Sequence, residues 1–127
     1  MVTTNGSTPD LFCRVMAQSE LPFKAFCARV GEIVGGRVAR NGVTSSRVEL
    51  FVDENDSYDP ALCHRGPDRW LRFRYTLEIT PAPGTEPDHY IAAVGQLLKG
   101  LWSEGIPAVG ACEFETRLPV NPDRAQW

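Results

Sequence analysis

The side chains best equipped for chemistry in this chain are the adjacent Cys63 and His64 and the acidic run Asp53, Glu54, Asp56 and Asp59. A thiol beside an imidazole supplies a nucleophile and a base, but the pair works only when a third group orients the base, and none can be named. Asp53, Asn55, Ser57 and Asp59 fall at the first, third, fifth and seventh positions of a calcium-loop spacing. The glycine needed at the sixth position is Tyr58, and the twelfth is His64 in place of Glu, so an EF-hand is excluded. Glu113 and Glu115 lie two apart, as active-site carboxylates can, yet nearby arginines are the simpler partners. No nucleophile elbow, phosphate loop, dinucleotide fingerprint or H-E-x-x-H motif occurs in the sequence. His89 reads as a surface residue of a helix's first turn. No catalytic residue, no metal site and no cofactor are therefore expected.

The four cysteines, Cys13, Cys27, Cys63 and Cys112, are widely spaced and form no C-x-x-C pair. Cys13, Cys27 and Cys112 sit at apolar positions of the pattern and read as reduced core thiols, whereas Cys63 lies in a polar loop. Thirteen basic against sixteen acidic residues give a formal charge of -3, too mild for steering and pointing away from nucleic acid. The charge is unevenly spread: 53–59, DENDSYD, carries no base, while 65–74 holds Arg65, Arg69, Arg72 and Arg74 against Asp68 alone.

The elements that must position these residues are legible from periodicity. Leu11 to Ala17 alternates as a strand with Leu11, Cys13, Val15 and Ala17 on one side. Phe23, Phe26, Cys27, Val30, Ile33 and Val34 make a helical stripe that Gly35 and Gly36 end. Asn41-Gly42 predicts a tight hairpin turn after a short strand at 37–40. Arg47 to Asp53 alternates, with Val48, Leu50 and Val52 inward. After a loop at 54–69, Trp70 to Thr80 predicts a long strand with Leu71, Phe73, Tyr75, Leu77 and Ile79 on one face and Arg72 and Arg74 on the other. Thr85 and Asp88 predict a capping box for a second helix carrying Ile91, Val94, Leu98, Leu101 and Trp102. A last strand spans Ile106 to Leu118.

The order β-α-β-β-α-β predicts an α+β, ferredoxin-like sandwich: a mainly antiparallel sheet of four or five strands with both helices on one face. The domain spans 10–118, with flexible tails at 1–9 and 119–127. The N-terminus has no signal-peptide pattern and no apolar run is long enough to span a membrane, so a soluble cytoplasmic protein is expected. The opposite sheet face should carry Phe12, Arg14, Met16, Glu49, Phe51, Trp70, Arg72, Arg74, Glu78, Glu113, Glu115 and Arg117. Aromatic, Met and Arg side chains together are the mixture enriched where proteins bind each other. Loops or tails that cover them are the plain alternative. RNA binding on this face lacks its sequence signature, and acids stand where phosphates would lie.

Three stretches, VELFVDENDSYDP, FRYTLEI and VGQLLKGLWSEGIPAVGACEFETRLP, together resemble small actinobacterial immunity-type proteins of polymorphic toxin systems, mainly over residues 47–119. The resemblance implies a non-enzymatic protein that binds and blocks a cognate protein toxin. Partner-binding residues would then be Phe51, Asp53, Glu54, Asp56, Asp59, Trp70, Arg72 and Arg74, the acids occupying a phosphate-binding site of a cationic toxin. Two other classes stay open: a small-molecule sensor or small enzyme of ferredoxin-like fold, and a homodimer.

Overall fold

Strict alternation in a five-residue run, with Cys13, Val15 and Ala17 at zero exposure, makes the first strand, β1 (Cys13–Ala17). The chain then forms α1 (Phe23–Val34), a hairpin of β2 (Arg37–Ala39) and β3 (Gly42–Thr44), β4 (Val48–Glu54), β5 (Tyr75–Pro81), α2 (Pro87–Ser103) and β6 (Ala108–Cys112). Single 3-10 turns stand at Leu62–His64, Arg69–Arg72 and Glu115–Arg117. The computed structural model describes residues 10–121. Residues 1–9 and 122–127, expected above within the tails, lie outside the described residues. Among the described residues the strands form one antiparallel sheet in the order β2-β3-β4-β5-β1-β6. The α+β class is as expected. The sheet has six strands, not four or five, because Arg37 to Thr44 contributes two short ones at one edge.

One face of the sheet packs on both helices. Cys13, Val15, Leu50, Val52, Leu77 and Ile79 share a single apolar cluster with Phe26 and Val30 of α1 and Val94, Leu98 and Leu101 of α2. Phe26 stacks on Tyr75 at 4.4 Å, and the buried hydroxyl of Tyr75 donates to Leu21 C=O at 2.6 Å. Tyr90 likewise donates to Ile79 C=O at 3.1 Å, so neither buried phenol is left unsatisfied. Gly35 ends α1 in the left-handed conformation at φ 66°, which costs glycine little. The helices meet closely at Gly100, where a Cβ would stand 2.4 Å from Ile33 Cγ2.

Several local expectations are corrected. The strand expected from Trp70 begins only at Tyr75, since Arg69–Arg72 coils into a 3-10 turn. The Asn55 side-chain amide donates to the carbonyls of Leu71 and Phe73, giving them partners outside the sheet. Leu71, expected inward, is consequently exposed. The last strand stops at Cys112, because Phe114 turns into the core edge-on to Tyr90 at 5.8 Å. Glu113, Glu115 and Arg117 therefore do not lie on the sheet, and Arg117 instead bonds Asp88 in the first turn of α2 at 2.9 Å. The capping box is not formed: Glu86 is the N-cap without a side-chain bond, and Thr85 Oγ1 donates to Ser46 C=O. The hairpin turns on Arg40-Asn41, one residue earlier than expected, with Arg40 at φ 58° and Gly42 already in β3. The Phe51 ring lies against Gly42, where a Cβ would be 3.3 Å away.

Candidate functional site

The face away from the α-helices is laid out in rows by the strand register. One row runs Gly42, Phe51, Glu78, Arg14, Ala111 across β3, β4, β5, β1 and β6. The next runs Asp53, Thr76, Met16, Val109. In the first row Arg14 pairs with Glu78 at 2.8 Å, both half exposed, an arrangement that sets register more than stability. Phe51 stays bare at 57% exposure.

The second row is covered at its Met16 and Val109 end by the chain's own segment 55–74, while Asp53 at the other end stays exposed. Met16 and Val109 are buried beneath Cys63 and Phe73, with Trp70 packed against them, in a second apolar cluster. Cys63, expected in a polar loop, is thus an anchor: it has zero exposure, its thiol donates to Pro60 C=O at 3.6 Å, and burial pushes the thiol up. That is opposite to what a nucleophile needs, and the neighbouring His64 is exposed. Two polar residues brace the cover from within. Asn55 bonds it as described, and Asp59 Oδ1 accepts the backbone N–H groups of Ala61 and Leu62 at 2.8 and 3.2 Å.

Between this cover and the sheet runs a groove of about 510 Å³, with Asp53, Glu54, Asp56, Trp70, Arg14 and Glu78 on its walls. Four of the predicted partner-binding residues, Asp53, Glu54, Asp56 and Trp70, therefore converge, and Phe51 adjoins them as the register neighbour of Glu78. Among the described residues, the ion pairs are Arg14–Glu78, Arg29–Glu32, Arg29–Glu104 and Arg117–Asp88, and none of them includes Asp53, Glu54 or Asp56. The other three predicted residues fall elsewhere. Asp59 is engaged in capping, Arg72 is exposed on the cover, and Arg74 is half-buried at the sheet's end, its guanidinium 5.0 Å over the Tyr75 ring. Asn55 and Gln18 were missed as organisers. Gln18 is buried and its Oε1 accepts the Arg74 N–H at 2.9 Å; no spacing in the sequence announces that bond.

A second concavity of about 540 Å³ opens where β1 leads into α1 and α2 leads into β6. Leu21, Pro22 and Ile106 give it apolar walls, and Gln18, Arg29 and Glu104 give it polar ones, the last two paired with each other. Among the described residues no three or more His, Cys, Asp or Glu side chains are grouped to hold a metal ion, and no helix is long and apolar enough to cross a membrane.

Comparison of the chain with protein-family models, with curated proteins and with solved structures finds no match in any of the three.

Proposed function

We propose that this chain is a non-catalytic protein-binding module of the immunity type, which blocks a cognate toxin by presenting the groove beside β4 to a cationic surface. The observation that carries this reading is the grouping of Asp53, Glu54 and Asp56, none of them in a described ion pair, on one groove next to the bare ring of Phe51. Unpaired acids attract a basic surface at long range and choose among partners, while a bare aromatic supplies short-range energy. A ferredoxin-like arrangement fits the same reading. Its support is the order β4-β5-β1-β6 of the four longer strands, with α1 following β1 and α2 following β5, the short hairpin being an addition at one edge. The stable cover over Met16 leaves the Phe51 end of the face for a partner.

The test begins with the gene neighbourhood: the reading requires an adjoining gene for a large secreted protein with a toxin domain at its C-terminus, and that domain is the binding partner to be assayed. Replacing Asp53→Asn, Glu54→Gln and Asp56→Asn together should weaken its binding by roughly tenfold or more at low salt and flatten the salt dependence. Phe51→Ala should weaken binding at all salt concentrations with little change in stability, since the ring is exposed.

A second reading, a small-molecule sensor, is favoured by the concavity at the end of β1, which combines apolar walls with convergent polar groups. A metabolite that raises the melting temperature, and loses that effect in Arg29→Ala while Asp53→Asn keeps it, would select this reading over the first.

A further inference from the structure

Cys13 of β1 and Cys112 of β6 are about 100 residues apart in sequence, yet they are register partners in an antiparallel pair. The bond from Gln18 N–H to Pro107 C=O, 2.9 Å, fixes the phase of that ladder. Counting back along it, Met16 with Val109 and Arg14 with Ala111 are the hydrogen-bonded pairs, and Cys13 with Cys112 falls at a non-hydrogen-bonded position. Cα atoms at such positions lie about 4.5 Å apart, inside the span of about 4.4–6.8 Å that disulfides accept. Both side chains turn to the helix side of the sheet, where Cys13 is in the main apolar cluster and Cys112 packs against it, and the two thiols are close enough to act on one another's titration. Their exposures differ: Cys13 is at 0%, while Cys112 is partly open to solvent.

We propose that Cys13 and Cys112 form a reversible disulfide that staples the edge strand β6 to β1, with Cys112 as the sulfur that meets the oxidant. The oxidant is a small-molecule disulfide such as oxidised glutathione. The Cys112 thiolate attacks one sulfur of that disulfide, its S–S bond breaks, and one small thiolate leaves. Cys13 then passes its proton to a departing thiolate and attacks the Cys112 sulfur of the mixed disulfide, releasing the second small thiol. Two protein thiols are oxidised, one small disulfide is reduced to two thiols, and no other electrons are needed. The division of labour follows from geometry. Cys13 is sealed from solvent, so Cys112 is the sulfur that an oxidant can reach. Burial pushes the Cys112 thiol up as well, with Cys13 beside it acting in the opposite sense, so its exchange is slow at neutral pH and faster as the pH rises. Cys27 and Cys63 are both buried, and Cys63 sits in the separate cluster under the cover. The staple would fix β6 against β1, whose Ala111 and Arg14 line the groove.

The full chain, incubated with oxidised glutathione in excess over reduced, should lose two hydrogen atoms by intact mass, and peptide mapping should join Cys13 to Cys112. The melting temperature should rise on the order of 10 °C, given the length of chain enclosed, and a dithiol reductant should reverse the rise. Cys112→Ser, at a partly exposed site, should show neither the link nor the rise, and Cys13→Ala should retain glutathione on Cys112. Two thiols still free, glutathione stably held by the unsubstituted chain, a link to Cys27 or Cys63, a link between two chains, or a link without the rise would each overturn the proposal.

Discussion

At the scale of single residues, polar side chains do more of the organising than their types announce. Asn55 reads in the sequence as a calcium-loop position, but in the structure its amide donates at 3.0 and 2.8 Å to the carbonyls of Leu71 and Phe73. Asn55→Ala should therefore cost about 1–3 kcal/mol, roughly the value of two such bonds, read from urea unfolding. No loss at all would mean that the cover is held by its apolar anchors alone. The apolar residues were easier to read. Leu98, chosen from helical spacing, is 1% exposed in the main cluster, and Leu98→Ala should cost about 2–5 kcal/mol by the same measurement. Close contacts carry no sequence signal: nothing in the helical pattern marks Gly100, yet a methyl group there would collide with Ile33.

At the scale of elements, alternation served well where a strand was backed by helices and misled where a loop used the same pattern. Leu71, Phe73 and Tyr75 alternate as one strand face would, but Leu71 is exposed and Phe73 belongs to the cover, and only Tyr75 and the residues after it belong to the sheet. Periodicity cannot tell a strand from a 3-10 turn when distant side chains, here Asn55, decide which carbonyls leave the ladder. The same limit applies past Cys112, where Phe114 keeps the alternation but enters the core from a turn. The cover 55–74 is joined to the sheet by a small cluster and a few bonds, so it should open below the global unfolding free energy. Hydrogen exchange should show amides of 62–72 exchanging faster than those of β4 and β5, and Asn55→Ala should widen that gap. Equal protection would place the cover within the main cooperative unit.

At the scale of the molecule, the net charge of -3 conceals an acidic groove. The α+β class was legible because two helical stripes and several alternating runs follow one another in order, but the strand order and the covered half of the sheet depend on contacts between distant segments. Burial also sets the response to pH. It pushes Tyr75 and Tyr90 up from 10.0, and Cys13, Cys27, Cys63 and Cys112 up from 9.0. The folded chain then keeps protons that the unfolded chain releases, so stability holds below about pH 9 and falls as the pH rises beyond it. Urea midpoints should decline from about pH 9 to about pH 11; a flat profile would mean that these groups are not sealed.

We propose that Asp53, Glu54 and Asp56 form the contact surface for a cationic protein partner. The measurement is titration calorimetry of the unsubstituted chain and the triply neutralised variant, at low and at physiological salt, against the C-terminal domain of a secreted protein whose gene adjoins that of this chain, which the proposal requires to exist. Binding should be tight and weaken with salt, and the variant should lose roughly tenfold or more at low salt. Equal affinity of the two chains at both salt concentrations would contradict it.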